Sequence, residues 1–226
     1  MYCIGDFKQQ NLIKMTEVKK EKRGGINFYN IDNIEFMKTK PDNYYDLAIV
    51  DPPYGLGDAV VNSGGRFKRY HNENGNWDKN TPTKEYFNEL FRVSKNQIIW
   101  GGNYFDLPPN KCFIVWDKKQ PQGISFAMGE YAWASFDKVA QIYKERTQGQ
   151  KERFHPTQKP IDLYRWLLQN YAEAGFKILD THGGSHTNAM ACDMEGFDLD
   201  ICEIDGNYFK SGLNAFDNYK MQTTLF

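Results

Sequence analysis

The sequence lacks any apolar run of about 18 residues, the length that crosses a membrane. Its first residues, MYCIGDFKQQ, also lack the basic start and apolar core of a secretion signal. The four cysteines, Cys3, Cys112, Cys192 and Cys202, form no CxxC pair, which argues against a zinc site or a disulfide framework. We therefore expect a cytoplasmic protein with no membrane partner.

An excess of positive charge is absent as well. The 226 residues include 28 Lys and Arg against 29 Asp and Glu, which gives a net charge of −1. A protein that simply coats nucleic acid is usually basic, so this class is disfavoured, although basic patches occur at 19–23 and 66–71. The apolar fraction of 40% and the charged fraction of 25% are typical of a soluble domain with a sizeable core.

Complete cofactor and metal motifs are also missing. The chain has no full GxGxxG, no lysine-bearing phosphate loop and no HExxH. His182 and His186 have the spacing of a metal pair on one helical face, but His182 lies in a predicted turn and no carboxylate accompanies them. We therefore predict no metal site.

The apolar pattern predicts strands that alternate with helices. Seven segments have the composition of strands: 26–30, 44–50, 96–100, 112–116, 138–143, 176–180 and 197–205. Five segments have the composition of helices: 33–40, 81–94, 159–175, 187–196 and 207–219. This alternation favours an α/β fold with a doubly wound, mainly parallel seven-stranded sheet and helices on both faces.

Two segments fall outside this pattern. Residues 1–24 are polar and rich in lysine, and we expect them to form a flexible arm. Residues 55–82 are rich in glycine and asparagine and have no periodicity, which is typical of a functional or mobile loop. The sequence therefore predicts a single domain over 25–226, with 55–82 as a loop within it.

Chemically active side chains follow three of the predicted strands, at Asp51–Tyr54, Asp180–Ser185 and Glu203. In such sheets, ligands bind beyond the carboxyl ends of the strands. Gly183 and Gly184 would let the backbone approach a ligand, and an acid at the position of Glu203 typically accepts hydrogen bonds from ribose hydroxyls. A nucleoside-bearing cofactor fits both features, while a plain turn and a solvated acid remain the alternative.

A further segment, RFHPTQKP at 153–160, leads into a predicted helix. Its prolines, Pro156 and Pro160, fix a bent approach to that helix. Thr157 and Lys159 could direct a hydroxyl and an ammonium at a ligand carboxylate. The alternative is a well-capped loop with no ligand.

The segments occur in a defined order: DPPY at 51–54, HPTQKP at 155–160 and ILDTHGGSHTNA at 178–189. With this order the chain resembles DNA amino-methyltransferases that depend on S-adenosylmethionine (SAM). It resembles their permuted β group, in which the catalytic segment precedes the glycine-rich one. WGGNYF at 100–105 strengthens the resemblance, which covers about 25–220. It implies a class I methyltransferase fold, which is Rossmann-like.

The resemblance gives the catalytic role to the DPPY segment: Asp51, Pro52, Pro53 and Tyr54. An exocyclic amine on a base is a poor nucleophile because its lone pair is delocalised into the ring. Asp51 and the proline carbonyls could accept its hydrogens, and Tyr54 could stack on the base, which is worth roughly 1–3 kcal/mol. The base must leave the duplex for this. Relatives with DPPY generally act on adenine N6, whereas enzymes for cytosine N4 more often carry Ser in place of Asp51. We therefore expect adenine N6.

The resemblance also implies that SAM is the cofactor. Asp180, Gly183 and Gly184 would line its methionine and ribose part. Glu203 would hold the ribose hydroxyls. Asp32 matches the acidic position that lies near the cofactor adenine in these enzymes.

Four further positions concern the same cofactor. Thr157 and Lys159 match residues that would face its methionine carboxylate. The glycine-rich turn departs from the common pattern D-P-F-x-G-S-G-T, because His182 replaces the phenylalanine and His186 replaces a glycine. His182 still permits packing beside the cofactor, whereas His186 adds a Cβ where close approach is expected. We predict that the chain binds SAM nonetheless.

Double-stranded DNA is the implied partner, and DNA methylation within a restriction-modification system is the implied role. The loop 55–82 directly follows the catalytic segment and carries the residues that we predict to contact DNA: Arg66, Lys68, Arg69 and His71. No separate recognition domain is visible in the sequence. A short target sequence or help from a second subunit is therefore expected, and a homodimer is left open.

Other functions remain as alternatives. Methylation of cytosine N4 or of an RNA base uses the same chemistry. A non-catalytic nucleic-acid-binding protein with the same fold is favoured by His186, but the intact Asp51, Tyr54 and Lys159 argue against it. A nicotinamide-dependent dehydrogenase would explain the glycine turn and Glu203, but it leaves DPPY and HPTQKP unexplained.

Overall fold

The structure is a computed structural model that describes residues 19–56, 80–121, 123, 127–146 and 158–223. Its strands are β1 (Lys19–Arg23), β2 (Ile26–Asn30), β3 (Tyr45–Val50), β4 (Ser94–Trp100), β5 (Phe113–Asp117), β6 (Gly129–Ala134), β7 (Gln141–Lys144), β8 (Lys177–Asp180) and β9 (Asp198–Cys202). Its helices are α1 (Asn33–Lys38), α2 (Lys84–Val93), α3 (Ile161–Tyr171), α4 (Thr187–Glu195) and α5 (Gly206–Thr223).

All these strands belong to one sheet, in the order β1-β2-β9-β8-β3-β4-β6-β5-β7. The strands from β2 to β4 in this order are parallel to one another. β1 and β6 run antiparallel to their neighbours, while β5 and β7 share the direction of β4. The prediction of an α/β fold with a mainly parallel sheet is therefore confirmed.

The predicted number of seven strands is wrong, because the described residues alone form a sheet of nine strands. The two strands that we missed are β1 and β6. β1 has the sequence KKEKR, and it is almost fully exposed as an edge strand that pairs with β2 through its backbone. Residues 19–23, which we assigned to a flexible arm, thus form a hairpin with the first buried strand, whereas 1–18 lie outside the described residues.

Two hydrophobic clusters cover opposite faces of the sheet, because successive residues of a strand point to opposite sides. Leu47 and Ile49 of β3 pack in the cluster that includes α3, α4 and α5. Ala48 and Val50 pack in the other cluster, beneath α1 and α2. Helices therefore cover both faces, as the alternation of elements indicates.

Local signals explain where several helices begin and end. Thr83 accepts a hydrogen bond at Oγ1 from the backbone N–H of Tyr86 and starts α2. α3 is shorter than the predicted 159–175, since it begins after Pro160 and ends at Tyr171. Among the described residues, no helix is both long and apolar enough to cross a membrane.

The strand directions determine which side chains can meet. β2, β3, β8 and β9 are parallel, so the residues that follow them lie at one edge of the sheet. β6 is antiparallel to β4 and β5, so its first residues, rather than its last, lie at that edge. The candidate site is built there.

Candidate active site

A cavity of about 250 Å³ lies at this edge of the sheet. Its wall includes six of the residues predicted from the sequence: Asp51, Pro53, Lys159, Gly183, Gly184 and Glu203. The catalytic segment and the glycine-rich turn are 130 residues apart in sequence but line one cavity. Pro52 is buried beside it.

Asp51, directly after β3, has both carboxylate oxygens engaged. The Tyr54 hydroxyl donates to Oδ1 at 2.6 Å. Lys159 Nζ donates to Oδ2 at 2.5 Å. These bonds fix the direction of the carboxylate at the rim of the cavity, with 18% of the side chain exposed.

The Tyr54 ring is packed by the WGGNYF stretch. Gly101 has φ of +68°, and a Cβ there would lie only 2.2 Å from Tyr54 Cε1, so this position requires glycine. Tyr104 stacks on the Tyr54 ring, with centroids 5.1 Å apart and planes 14° apart. Burial raises the pKa of Tyr54 well above its ordinary value, so its hydroxyl stays protonated and donates to Asp51.

Lys159 is buried between two carboxylates. Its side chain is 2% exposed, and its Nζ lies 2.5 Å from Asp51 Oδ2 and 3.1 Å from Glu130 Oε2. Burial disfavours the charged form, but the two carboxylates outweigh this effect and raise the pKa of Lys159. The ammonium that we expected to face a ligand carboxylate is therefore bound to Asp51 and Glu130 here.

The glycine-rich turn follows β8 and is tied to β9. A Cβ on Gly183 would lie 2.8 Å from His186 Cδ2 and 3.1 Å from Ile201 Cγ1, so a side chain would not fit without movement. The Gly184 N–H donates to Glu203 Oε2 at 2.8 Å. Glu203 is 9% exposed, and burial raises its pKa.

Asp180 lies behind this turn and holds it together. Its Oδ1 accepts the backbone N–H of His182 and its Oδ2 accepts Asn188 Nδ2, each at 3.0 Å. Burial raises the pKa of Asp180 to about 7. The Asp180 carboxyl thus makes contacts that stabilise the turn, whereas the sequence predicts that Asp180 lines the cofactor site.

His182 lines the cavity as a neutral side chain, because burial lowers its pKa to about 3. Asn33 Nδ2 lies 3.0 Å from Nε2, and since an amide nitrogen is only a donor, Nε2 is the acceptor. Nδ1 then carries the proton and donates to Thr181 Oγ1 at 2.9 Å. His182 therefore packs beside the cavity without charge, as the position of a phenylalanine would require.

His186 lies on the far side of the turn. Its ring is 1% exposed and packs against Phe28 and Phe209, with centroids 5.2 Å and 6.2 Å away. It also touches Gly212, where a Cβ would lie 2.3 Å from Nδ1. The ring is thus directed into the interface with α5, and it leaves the cavity open. In the described ranges, no three His, Cys, Asp or Glu side chains are grouped to hold a metal.

The remaining predicted residues are placed as follows. Asp32 caps α1, with Oδ1 accepting the backbone N–H groups of Ile34 and Glu35 at 2.9 and 3.0 Å. Its neighbours Ile31 and Asn33 line the cavity. Five residues lie outside the described part of the chain: Arg66, Lys68, Arg69, His71 and Thr157.

Glu130 is the functional candidate that sequence reasoning missed. It belongs to no motif, and its strand was not predicted. The one available signal was the alternation of GEYAWA between polar or small and aromatic residues, which is typical of a strand with one buried face.

Comparison with known proteins gives no matching family model. One relative by sequence and two solved structures are similar to the chain. The Type II methyltransferase M2.MboI of Moraxella bovis is 24% identical, over 74% of this chain and 78% of that protein. The structure of M1.HpyAVI in complex with SAM matches with a TM-score of 0.57 and 20% identity, over 84% of this chain and 98% of the other.

The PvuII DNA methyltransferase, which is cytosine-N4-specific, matches with a TM-score of 0.56 and 14% identity, over 84% of this chain and 86% of the other. The fold that we expected from the resemblance is thus confirmed as methyltransferase-like. M2.MboI, the relative found by sequence, is likewise a methyltransferase.

Proposed function

We propose that the protein is a SAM-dependent DNA methyltransferase that modifies the exocyclic N6 of an adenine. The observation that carries the proposal is the meeting of the DPPY segment and the glycine-rich turn at one cavity. The similarity to M2.MboI and the fold shared with M1.HpyAVI support the same activity.

The cavity suits a nucleoside-bearing cofactor. Gly183 and Gly184 bring the backbone to the cavity wall, and Glu203 presents a carboxylate directly after β9. Its oxygens already accept the backbone N–H groups of Gly184 and Asp205 at 2.8 Å, which fixes their direction and leaves lone pairs for ribose hydroxyls. SAM, when bound, supplies an electrophilic methyl group on sulfur.

Asp51 would orient the target amine. A carboxylate offers about four lone-pair directions, so bonds from Tyr54 and Lys159 leave acceptor capacity for one amino hydrogen. A proline carbonyl of the same segment would accept the other, which would turn the nitrogen lone pair out of the ring. The amine so held would take the methyl group that SAM supplies, with the electrons of the broken carbon–sulfur bond staying on sulfur, and would then release one proton to solvent water.

Cytosine N4 is the second candidate base. The likeness to PvuII DNA methyltransferase favours it, while the aspartate at position 51 favours adenine. Digestion of methylated DNA to nucleosides, followed by mass spectrometry, separates the two. N6-methyl-2′-deoxyadenosine is expected, and N4-methyl-2′-deoxycytidine would replace the adenine assignment.

DNA contact is proposed for the loop 55–82, and the protein would act in the cytoplasm as part of a restriction-modification system. A homodimer would compensate for the lack of a separate recognition domain. These proposals rest on the sequence and on the similarity to M2.MboI.

Transfer of tritium from labelled SAM to DNA tests the activity. The wild-type protein should label DNA, and D51A should lose at least a hundredfold in rate because the amine is no longer held. D162A, which removes an exposed carboxylate on α3, is the matched control and should stay active. Absence of both SAM binding by calorimetry and methyl transfer by the wild type would refute the proposal.

A further inference from the structure

Glu130 extends the site beyond the three motifs. It is the second residue of β6 and pairs with Trp116 of β5 in the antiparallel register. Its Oε2 lies 3.1 Å from Lys159 Nζ, and its Oε1 forms an ion pair with Lys118 Nζ. A carboxylate from the antiparallel part of the sheet therefore reaches the ammonium that contacts Asp51.

The Lys159 ammonium is shared unequally between its carboxylates, at 2.5 Å from Asp51 and 3.1 Å from Glu130. The Tyr54 hydroxyl lies 3.4 Å from the same nitrogen, and the Trp100 ring centroid lies 5.1 Å from it. The three N–H donors of the ammonium match these three oxygen partners, and Glu130 supplies one of them.

The charges in this cluster balance. Asp51 and Glu130 carry two negative charges, and Lys159 and Lys118 carry two positive ones. The Tyr164 phenol of α3 is buried beside them and stays neutral, because burial and the nearby carboxylates raise its pKa. Without Glu130, the buried Lys159 would have Asp51 as its one carboxylate partner among the described residues.

We propose that Glu130 is a positioning residue, which holds the buried Lys159 ammonium in place against Asp51, so that the Asp51 carboxylate keeps the direction in which it can accept an amino hydrogen. The inference rests on the proposed function, since it assigns Asp51 the role of orienting the amine. Glu130 acts through Lys159 and does not itself contact the base.

Two measurements on E130Q test this role. The first follows the Lys159 ζ-ammonium by NMR on protein labelled at the lysine ε-carbon, with the signal assigned by K159M. In the wild type the pKa of the group should lie above its ordinary value, because two carboxylates support the charge against burial. In E130Q the pKa should fall, because burial is then offset by Asp51 alone.

The second measurement is the rate of methyl transfer. E130Q should lower kcat at least tenfold with KM for DNA unchanged, and its activity should decline at a lower pH than that of the wild type. E130D, which keeps a shorter carboxylate, should recover part of both losses. E195Q removes a half-buried carboxylate that pairs with Arg165 on α3, and it should leave both readouts unchanged.

The outcomes separate the two proposals. If the wild type transfers no methyl group, the proposed function fails. The NMR comparison of wild type and E130Q still shows in that case whether Glu130 supports the charge of Lys159. If the wild type is active and E130Q matches it in kcat and in the charge of Lys159, Glu130 has no positioning role. If E130Q does not fold, both measurements are made on E130D. Wild-type values of kcat and of the Lys159 charge in E130D would then overturn the inference.

Discussion

The Tyr54 ring leaves no room for a side chain at Gly101. G101A would force a Cβ to within 2.2 Å of the Tyr54 ring, in a backbone conformation with φ of +68°. We expect Tyr54 to be displaced from Asp51, methyl transfer to fall at least tenfold, and the free energy of unfolding to drop by about 1–3 kcal/mol. Urea unfolding and the tritium assay measure the two effects.

G175A is the control for this substitution. Gly175 also has a left-handed backbone, with φ of +87°, but a Cβ there meets no atom within 4 Å. It should lose about 1 kcal/mol from backbone strain and keep its activity. Equal activity in G101A and G175A would contradict the proposed dependence of Asp51 on Tyr54.

The neutral His182 makes stability depend on pH. The unfolded chain takes up a proton on this residue near pH 6.5, and the folded chain does so only near pH 3. Stability is therefore lost as the pH falls through this window, by about 2 kcal/mol between pH 7 and pH 5. H182F removes this loss, although it also removes the hydrogen-bond acceptor of Asn33.

Urea unfolding of both proteins at pH 7 and pH 5 tests this effect. The deficit of H182F relative to the wild type should shrink, or reverse, at pH 5. Asp180 titrates in both proteins, so its contribution largely cancels in the comparison. A deficit that stays constant with pH would mean that His182 is not held neutral.

The positions of several candidate residues follow from local sequence. Asp51 and Glu203 directly follow strands, and Gly183 and Gly184 form a turn, so neighbouring residues suffice to indicate where they lie. Glu130 was missed because its approach to Lys159 depends on pairing between β5 and β6, and the polar strand segment that carries it has no motif. The direction of the His186 ring depends likewise on its contact with Gly212, 26 residues later.

At the scale of elements, β1 protects the edge of β2. The two strands pair from Lys19 with Asn30 to Arg23 with Ile26, and Arg23 Nε also contacts Asp217 of α5 at 2.9 Å. Deletion of residues 1–23 should expose the β2 edge, lower stability and promote self-association. Light scattering after gel filtration, together with urea unfolding, measures these changes.

R23A is the matched control, because it removes the ion pair with Asp217 and keeps the strand. It should cost less than about 1 kcal/mol, since the pair is partly exposed. A deletion variant that is as stable and as monodisperse as R23A would show that β1 does not protect the sheet.

Strands with a strong apolar pattern were predicted, whereas β1, which has none, was not. β3 is buried on both faces over 47–50, and its sequence shows this as a continuous apolar run. β1 is a strand because its backbone pairs with β2, although its side chains are nearly all exposed and charged. Hydrophobic periodicity carries no information on such a strand.

For the whole molecule, the net charge of −1 requires that any attraction to DNA be local. Simultaneous replacement of Arg66, Lys68 and Arg69 by alanine should weaken DNA binding and reduce the slope of log K against log salt concentration by about 2–3. Fluorescence anisotropy with labelled duplex across a salt series measures both quantities.

The triple alanine variant of Lys19, Lys20 and Lys22 on β1 changes the net charge equally and serves as the control. It should leave the slope near the wild-type value. Equal slopes for the two triple variants would indicate a response to total charge, and the loop 55–82 would lose its assigned role.

The reversed direction of β6 has a consequence for how such a site can diversify. The strands β5 and β6 meet where Asp117 pairs with Gly129, and the Lys118 N–H donates to the Met128 carbonyl. This turn therefore lies at the sheet edge that carries the site, and Lys118 and Glu130 on its two sides form an ion pair. A change at this turn would leave the DPPY, HPTQKP and glycine-rich segments unaltered and still reach Asp51 through Glu130 and Lys159.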